Sequence, residues 1–586
     1  MKRILSLVLI AALVAGLPAC GKKEKPAEET TAATAVTTAP ADTETAAATE
    51  AETAETAAET ETVPEETKEA EAEVRTPEEQ SVALLHVQKE HIATGKTGCL
   101  EEYEKLVLCE EDACAYPELA AALDDFHTQQ EYQSKERLLQ LQENYEELKD
   151  YRDEDFSLTS EIISEAVRAD EKVLSIFHDQ YIYLGGAHPD YLWYGDSFDT
   201  ETGKHLIFTD VVTDPEKFFD LTDEKLKEQY ADIYDYMNDF TEYRQNLSYE
   251  EYRNVCWTVD YEGVTVYFNP YELGPFAMGA QVVKVLFSEA PEVFSDRFTA
   301  VPDHYMIPFL SSIPLVLDVT GHGKQEEIRV EPELAEPENE YCDYYNYRIC
   351  AGKRSVLLEH GCYSEESYIL YSGGKHSLYL FEQSDNDYIL LSVVDLSTME
   401  YDPEKMMIVR LWKEYTEYSG EDDGYVSIYR KEVPTDPSAF RLMEHCDLLG
   451  TKSGVRRYHA GEDGYPVKDE AWITFRTTMA LKARKEVSCE EVSPEGKVLG
   501  DAVIPEGTCL CFVRSDNESW VDVQEIPEEM VTADIGEYGS MVYTAEPVEP
   551  DDTKPLYRLY PDSSEWPYTV NGIDENELFY GVAYAG

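Results

Sequence analysis

A histidine in a glycine-rich turn is the first residue of this chain whose type and setting could do chemistry. His188 lies in the turn GGAHP at 185–189, and Asp190 and Asp196 follow it. An imidazole near carboxylates can bind a metal ion, transfer a proton or contact a partner. More commonly the glycines of such a turn provide positive φ and the histidine makes one structural hydrogen bond. We favour this structural role, with a partner-binding loop and a metal site as alternatives.

Aromatic residues lie on both sides of this turn: Tyr181, Tyr183, Tyr191, Trp193 and Tyr194. Exposed rings could form a platform for a sugar or a protein, but aromatic residues that alternate along strands more often pack in a core or across strands. We therefore favour packing. If the turn instead forms a partner-binding loop, its residues are Gly185, Gly186, His188, Pro189, Tyr191 and Trp193.

A second candidate site is an acidic turn in the other half of the chain. The segment LVLDVTGHGKQEEI at 315–328 is similar to the calcium turns of repeat modules, where oxygen ligands occupy alternate positions before a glycine. Asp318 and Glu326 match that pattern, Thr320 is a weaker ligand, and His322 stands where a carboxylate is usual. A metal-free β-turn is the favoured interpretation. Calcium bound by Asp318, Thr320 and Glu326 is the alternative, and no other cofactor is expected.

Recognisable catalytic motifs are missing from the sequence. It contains no GxSxG elbow, no HExxH and no complete phosphate loop. Its carboxylates are too numerous for a catalytic pair to be chosen without geometry. We therefore assign no catalytic residue and expect a protein that is not an enzyme.

The N-terminal residues predict export and lipid attachment. Lys2 and Arg3 precede an apolar run at 4–17, and the tetrapeptide LPAC then ends at Cys20. LPAC resembles the lipobox of bacterial lipoproteins, which implies cleavage before Cys20 and a lipid on its sulfur. The apolar run is too short for a lasting membrane span. We therefore expect a palmitate-type lipoprotein at the extracellular face of the cell membrane, with an ordinary cleaved signal peptide as the alternative.

The chain is strongly acidic, with 120 acidic and 48 basic residues among 586. This balance argues against nucleic acid and anionic wall polymers as partners, whereas a basic protein or a cation would be attracted. Solubility of an exported protein is the simpler explanation of the charge. Residues 21–80 are mostly Thr, Ala, Glu and Pro and cannot bury a core, so we expect a solvated, disordered tether there. Eleven cysteines besides Cys20 permit disulfides without fixing which pairs form.

Three segments carry a resemblance to a known domain: GGAHP at 185–189, FDTETGK at 198–204 and NPYELGPF at 269–276. They resemble the extracellular domain of unknown function found in RsiV-like anti-sigma factors and PdaC-like peptidoglycan deacetylases. AYPEL at 115–119 is similar to the small domain that precedes it. The metal-binding Asp and His set of the deacetylases, and the sigma-binding segment and membrane span of the RsiV-like proteins, have no counterpart in this sequence. The resemblance therefore implies an extracellular module alone.

The elements that must position these residues predict an α+β fold. Alternating or continuous apolar residues predict paired strands within 164–184 and further strands at 264–268 and 282–287. Helices after Pro117 and over 217–243 are expected to pack on an antiparallel sheet. Short apolar strands such as SLYLF, YILLSVV, MMIVRLW and YVSIY predict a β-rich second half, and 481–523 resembles an SH3-like barrel. The expected segments are a signal peptide at 1–20, the tether at 21–80, a small α+β domain at 81–157, the resembling domain at 158–297, a β-rich domain at 298–475 and an SH3-like domain with a C-terminal tail at 476–586.

These observations favour a lipid-anchored surface protein that binds or senses an extracellular ligand. A basic protein such as lysozyme, which some RsiV-like modules recognise, or a cell-wall component is the expected partner. A cell-wall or polysaccharide-modifying enzyme with an unrecognised site is the alternative, and a structural spacer without a ligand is a third hypothesis.

Overall fold

Helices occur where apolar residues recur at helical spacing, and the rest of the chain is dominated by strands. The computed structural model describes residues 82–152, 156–311, 313, 315–322, 324–335, 344–384, 389–421, 424–535, 541–545, 551, 553–564 and 566–584. The predicted signal peptide, Cys20 and the whole of the predicted tether lie outside these residues. Within the described residues the helices are α1 Glu110–Ala115, α2 Pro117–Leu148, α3 Phe208–Val211, α4 Pro215–Gln229, α5 Phe240–Tyr249, α6 Asp296–Thr299 and α7 Glu575–Leu578.

The strands are numbered in chain order. The first eight are β1 Val87–Lys96, β2 Cys99–Leu108, β3 Leu158–Ala169, β4 Val173–Tyr183, β5 Asp190–Asp199, β6 Cys256–Val259, β7 Gly263–Phe268 and β8 Gln281–Leu286. The next twelve are β9 Tyr305–Phe309, β10 Leu315–Leu317, β11 Glu326–Leu334, β12 Tyr345–Ala351, β13 Arg354–Cys362, β14 Ser364–Ser372, β15 Lys375–Gln383, β16 Ile389–Asp395, β17 Glu400–Tyr401, β18 Met407–Leu411, β19 Lys413–Glu421 and β20 Gly424–Val433. The remainder are β21 Phe440–Cys446, β22 Lys452–Ala460, β23 Pro466–Lys468, β24 Ile473–Phe475, β25 Ala480–Ala483, β26 Val487–Val492, β27 Val498–Ile504, β28 Cys509–Ser515, β29 Val521–Ile526, β30 Val531–Ile535, β31 Met541–Ala545, β32 Leu556–Leu559, β33 Pro561–Asp562, β34 Thr569–Val570, β35 Ile573–Asp574 and β36 Phe579–Tyr580.

A seven-stranded sheet in the order β19-β20-β1-β2-β3-β4-β5 organises the first half of the molecule. Its neighbours are antiparallel except β2 and β3, which run parallel. The antiparallel sheet predicted for 158–297 is confirmed in the pairing of β3, β4 and β5. The parallel pair arises because the 32-residue helix α2 carries the chain back from β2 to the start of β3. Two strands of the sheet, β19 and β20, come from residues 413–433. One sheet therefore combines strands from three of the predicted segments.

Helix α2 covers one face of this sheet. Pro117 occupies the first turn, where its missing N–H costs no hydrogen bond, and the predicted helix start is confirmed. Leu119, Leu123 and Leu141 are buried at spacings that share one helix face. Leu119 and Leu123 pack in a cluster with Phe198 of β5. The helix thereby seals the β3–β5 side of the sheet from solvent.

A smaller sheet, β6-β7-β8, packs with α4 and α5. The prediction of one helix over 217–243 was wrong in its length, since the structure has two helices separated by the one-turn helix Tyr234–Tyr236. Asp214 and Asp239 cap the two helices through their side chains. The predicted layout of helices packed on antiparallel strands is confirmed for this part of the chain.

The second half is built almost entirely from antiparallel strands, as predicted. Strands β10 to β13 form a four-stranded sheet, and β9 pairs with β14, which begins a longer ladder through β15 and β16. In the C-terminal part the pairings run β27-β26-β32-β29-β28-β25-β36. An SH3-like barrel for this part stays a prediction.

Two further properties concern the described residues alone. Their ten cysteines are all unbridged. No helix among them has the length and apolar character needed to cross a bilayer.

Candidate functional site

The seven-stranded sheet has one face under α2 and one face that is partly open. Side chains alternate between the faces along each strand. Ile92, Tyr103, Ile162 and Ile428 pack together on the helix side. Their neighbours in sequence therefore point to the opposite side, and strand register aligns those neighbours across the sheet.

On this second side, one end of the sheet carries aromatic and acidic side chains and one isoleucine, and all of them remain at least partly exposed. We call these residues the open face: His91, Glu102, Glu161, Ile163, Asp179, Tyr181, Tyr191, Trp193, Tyr415, Tyr418, Tyr425 and Tyr429. They extend over seven strands, so the surface from β5 to β19 is about 29 Å wide.

The aromatic rings of the open face form two groups. On β4 and β5, the rings of Tyr181 and Tyr191 meet edge to face with centroids 5.3 Å apart. On β1, β19 and β20, His91 stacks on Tyr429 at 4.6 Å, and Tyr415 meets Tyr429 at 5.6 Å. Tyr415 and Tyr418 are 64% and 74% exposed. Rings held by their neighbours yet open to solvent can bind a partner with little loss of side-chain entropy.

Carboxylates lie between the two aromatic groups. Glu102 and Glu161 are register partners on β2 and β3. Burial, followed by the charges of Glu102 and Glu104, raises the pKa of Glu161. Burial also raises the pKa of Asp179 on β4. Because like charges here repel one another, the centre of the open face favours a cation.

A buried ion cluster borders this centre. Lys89 lies 3.1 Å from Glu104 and 2.5 Å from Glu165. Burial acts to raise the pKa of Glu104, but Lys89 and neighbouring hydrogen bonds outweigh it and lower that pKa to about 2. Glu104 is thus neutralised by Lys89, whereas no ion pair within the described residues includes Glu102 or Glu161. The negative charge of the open face that no ion pair balances therefore lies on Glu102 and Glu161.

The other end of the same side is covered. Strand β6 crosses above Gly195 of β5, where a Cβ atom would lie 2.1 Å from the carbonyl oxygen of Trp257. Only glycine allows that approach. Phe177 and Tyr267, 5.1 Å apart, fill the space beside it. The smaller sheet therefore limits the open face to the end of the seven-stranded sheet near the GGAHP turn.

The GGAHP turn lies at the rim of the open face. His188 is exposed, its Nδ1 donates to the carbonyl of Pro189 at 2.9 Å, and its ring stacks on Phe276 at 4.0 Å. Gly185 has φ +83°, and a Cβ atom there would meet Leu148 at 2.5 Å. Two of the three resembling segments, GGAHP and NPYELGPF, are therefore brought into contact.

Asn269, the first residue of NPYELGPF, closes the outer edge of β5. Its Oδ1 accepts from the Trp193 N–H at 2.7 Å, and its Nδ2 donates to the Trp193 carbonyl at 2.9 Å. Tyr271, with φ +76°, places its ring 5.7 Å from Phe276. The loop thus fixes Trp193 of the predicted partner-binding loop at the boundary of the open face.

Asp196 lies on the other side of the sheet from this surface. It lies 3.3 Å from His178 and 2.7 Å from His205. Burial acts to raise its pKa, but the hydrogen bonds of the two histidines prevail and hold the pKa well below its usual range. His188 and Asp196 are therefore close in sequence without sharing a site, while Gly186, Pro189 and Tyr191 remain with His188 at the rim.

The predicted calcium turn is occupied by internal bonds. Asp318 Oδ1 accepts from the N–H of His322 at 3.2 Å and from Thr320 Oγ1 at 3.4 Å. Glu326 pairs with Arg354 at 2.7 Å and with Lys324 at 3.4 Å. Within the described ranges no group of three or more His, Cys, Asp or Glu could hold a metal ion. The metal-free β-turn stays the favoured prediction, and calcium at this turn stays its untested alternative.

Comparison with known proteins identifies one domain. Residues 207–288 match a family described as a protein of unknown function, DUF3298. The match includes α3 to α5, β6 to β8 and the NPYELGPF loop, so the prediction of a domain of unknown function within 158–297 is confirmed over those residues. No curated protein matches the chain.

Two solved structures are similar to part of the chain. A DUF3298 family member from Bacteroides fragilis is 17% identical, covers 37% of this chain and 96% of its own, and has a TM-score of 0.26. A DUF3298 family protein from Pseudomonas aeruginosa is 14% identical, with coverage of 38% and 98% and a TM-score of 0.25.

Sequence analysis missed most of the open face. Tyr191 and Trp193 belonged to the predicted partner-binding loop, but Glu102, Glu161 and Tyr418 did not. The available signal was the alternation of YVSIY, which places Tyr425 and Tyr429 on one side of a strand. No feature of the local sequence indicated that this side of β20 lies on the same face of the sheet as Tyr181 and Tyr191.

Proposed function

We propose that this protein is a lipid-anchored surface protein that binds a basic extracellular polypeptide on its open face. The observation that carries the proposal is the pair Glu102 and Glu161, placed side by side between two groups of exposed aromatic rings. Lysine or arginine side chains would relieve the repulsion between these carboxylates, and the rings would supply apolar contact. Anionic wall polymers would be repelled by the same charges.

The anchor and the tether complete the proposal. A lipid on Cys20 would hold the chain at the extracellular face of the cell membrane, and the acidic segment 21–80 would set the folded part away from the bilayer. The resemblance of GGAHP, FDTETGK and NPYELGPF to the RsiV-like and PdaC-like domain supports an extracellular module. The DUF3298 match covers the part of this module that closes β5.

Binding can be tested with the soluble chain in which Cys20 is replaced by serine. We expect lysozyme, used as a basic probe, to be retained by the immobilised protein, and we expect its affinity to fall as sodium chloride rises because exposed charges are screened. Purified peptidoglycan serves as the comparison ligand. Failure to retain lysozyme at physiological salt would refute the proposal, whether or not peptidoglycan is retained.

A cell-wall or polysaccharide-modifying enzyme is the alternative, and one arrangement favours it. His360 lies 2.7 Å from the buried Glu382 carboxylate through Nδ1 and 2.9 Å from the Tyr401 hydroxyl through Nε2. Ser392 donates to the same carboxylate at 3.0 Å. A chain of carboxylate, imidazole and hydroxyl can move a proton. Turnover of peptidoglycan fragments that is lost in His360→Gln would support the enzyme, and absence of turnover by the unaltered protein would exclude it for that substrate.

A further inference from the structure

The two edge strands of the seven-stranded sheet differ in the hydrogen bonding of their outer backbone groups. At β5 the side chain of Asn269 bonds both backbone groups of Trp193, and β6 covers Gly195. At the opposite edge, β19 pairs with β20 alone. Within the described part of the chain, the backbone of 416–420 has no hydrogen-bond partner beyond β20. An edge of this kind can accept another strand.

The outer end of β19 also has a regular register with β20, as pairing with a further strand requires. The single irregularity of β19 is the register shift between Tyr415 and Glu417, where Thr416 donates its hydroxyl to the Ile428 carbonyl at 3.3 Å. Beyond that bulge the ladder with β20 is continuous to Glu421. Tyr418 projects onto the open face, and Glu417 projects to the helix side. The edge is therefore lined by an aromatic ring on one side and a carboxylate on the other.

The charge along β19 favours one kind of strand as its partner. A second copy of this chain could bring the Glu417 carboxylates of both molecules to the shared edge, and like charges on neighbouring strands are unfavourable. A segment with alternating lysine or arginine and β-branched residues would instead meet the Glu417 carboxylate on one side and Tyr415 and Tyr418 on the other. Glu414 is already paired with Arg476 at 3.2 Å. Backbone bonds would add to these contacts without requiring a particular sequence.

We propose that an extended segment of the basic partner pairs with β19 as an eighth strand of the sheet. This inference rests on the proposed function and specifies its mode of binding. The partner's side chains on one side of the added strand would lie beside Tyr418 and Tyr425, at the margin of the open face. Those on the other side would lie beside Glu417.

The test uses a nine-residue peptide of alternating lysine and valine and a version methylated on every backbone nitrogen. Both carry the same charge, but the methylated peptide cannot donate hydrogen bonds to a strand edge. We expect the methylated peptide to bind the soluble full chain at least about tenfold more weakly in fluorescence anisotropy. Equal affinity of the two peptides would overturn the inference, because attraction by charge alone is indifferent to methylation.

Two variants locate the contact. Tyr418→Ala, at a 74% exposed position, should weaken binding of the unmethylated peptide at least about threefold. Tyr249→Ala, on α5 and 90% exposed, is the matched control and should leave affinity unchanged. If Tyr418→Ala binds like the control, the occupant is not on β19. If lysozyme binds but neither peptide does, strand addition fails while the proposed function stands; if lysozyme also fails to bind, the proposed function fails with it.

Discussion

Replacing Arg168 by methionine is expected to lower the free energy of unfolding by about 3–5 kcal/mol. The Arg168 side chain is fully buried and pairs with the equally buried Asp170 at 2.8 Å. It also donates to the carbonyl oxygens of Asp260, Phe298 and Ala300. Methionine would leave the Asp170 carboxylate without its cation and three carbonyls without a donor. Urea denaturation followed by tryptophan fluorescence measures the loss.

The loss of stability should depend on the burial of the ion pair. Arg253→Met is the matched control, because Arg253 pairs with Glu251 at the surface and is 64% exposed. Its replacement should change the free energy of unfolding by less than about 1 kcal/mol. Adding Asp170→Asn to Arg168→Met should recover part of the lost stability, since the unpaired buried charge is then removed. Equal stability of Arg168→Met and Arg253→Met would contradict a stabilising role for the buried Arg168–Asp170 pair.

Glu272→Gln is expected to change the pH dependence of stability by up to about 3 kcal/mol between pH 5 and pH 8. Burial raises the pKa of Glu272 to about 7, against opposing hydrogen bonds from Asn269 and Tyr243. The folded protein therefore holds a proton on Glu272 that the unfolded chain releases above its ordinary pKa of 4.5. The contribution of Glu272 to the free energy of unfolding is therefore fully present at low pH and is lost as the pH rises through 7.

The groups packed against Glu272 do not reverse this direction, although the hydrogen bond from Tyr243 opposes it. Tyr243 on α5 donates to its Oε2 at 3.3 Å. The Cys256 thiol on β6 has a pKa raised to about 12, by burial first and then by Glu272 and Asp196, so it stays neutral. No cation is among these neighbours to stabilise the ionised carboxyl.

The difference between Glu272→Gln and the unaltered chain isolates this group from all others. The glutamine variant should be about as stable as the unaltered protein at pH 5 and more stable at pH 8. Parallel urea midpoints for the two proteins across the pH range would show that Glu272 does not hold a proton at neutral pH. Glu272 lies in the NPYELGPF loop. Its ionisation above pH 7 should therefore also weaken the two hydrogen bonds between the Asn269 side chain and the Trp193 backbone.

Local patterns in the sequence predicted several helices and strands but few of their partners. Leu119 and Leu123 recur at helical spacing after Pro117, and that alone predicts α2. In contrast, Glu90 and Arg430 are 340 positions apart and become neighbours only because β1 pairs with β20. Strand alternation records which side chains share a face, but it carries no information about which distant strand lies alongside.

The candidate site, too, could be predicted from the sequence only in part. GGAHP and NPYELGPF, which form the rim, could be singled out in the sequence because their glycines, prolines and aromatic residues are confined to two short loops. The centre of the open face depends on Glu102 and Glu161, which look like ordinary strand residues in the sequence. Their significance comes from parallel pairing of β2 and β3, which required the crossover through α2.

Isothermal titration of lysozyme into two charge variants of the soluble chain tests the proposed binding surface most directly. Glu102→Gln with Glu161→Gln removes the paired carboxylates of the open face. Glu143→Gln with Glu147→Gln removes two exposed carboxylates from α2, on the opposite side of the sheet. We predict that the first variant binds at least about tenfold more weakly than the unaltered chain, while the second binds within about twofold of it. Equal affinity of the two variants would contradict the assignment of the open face as the binding surface.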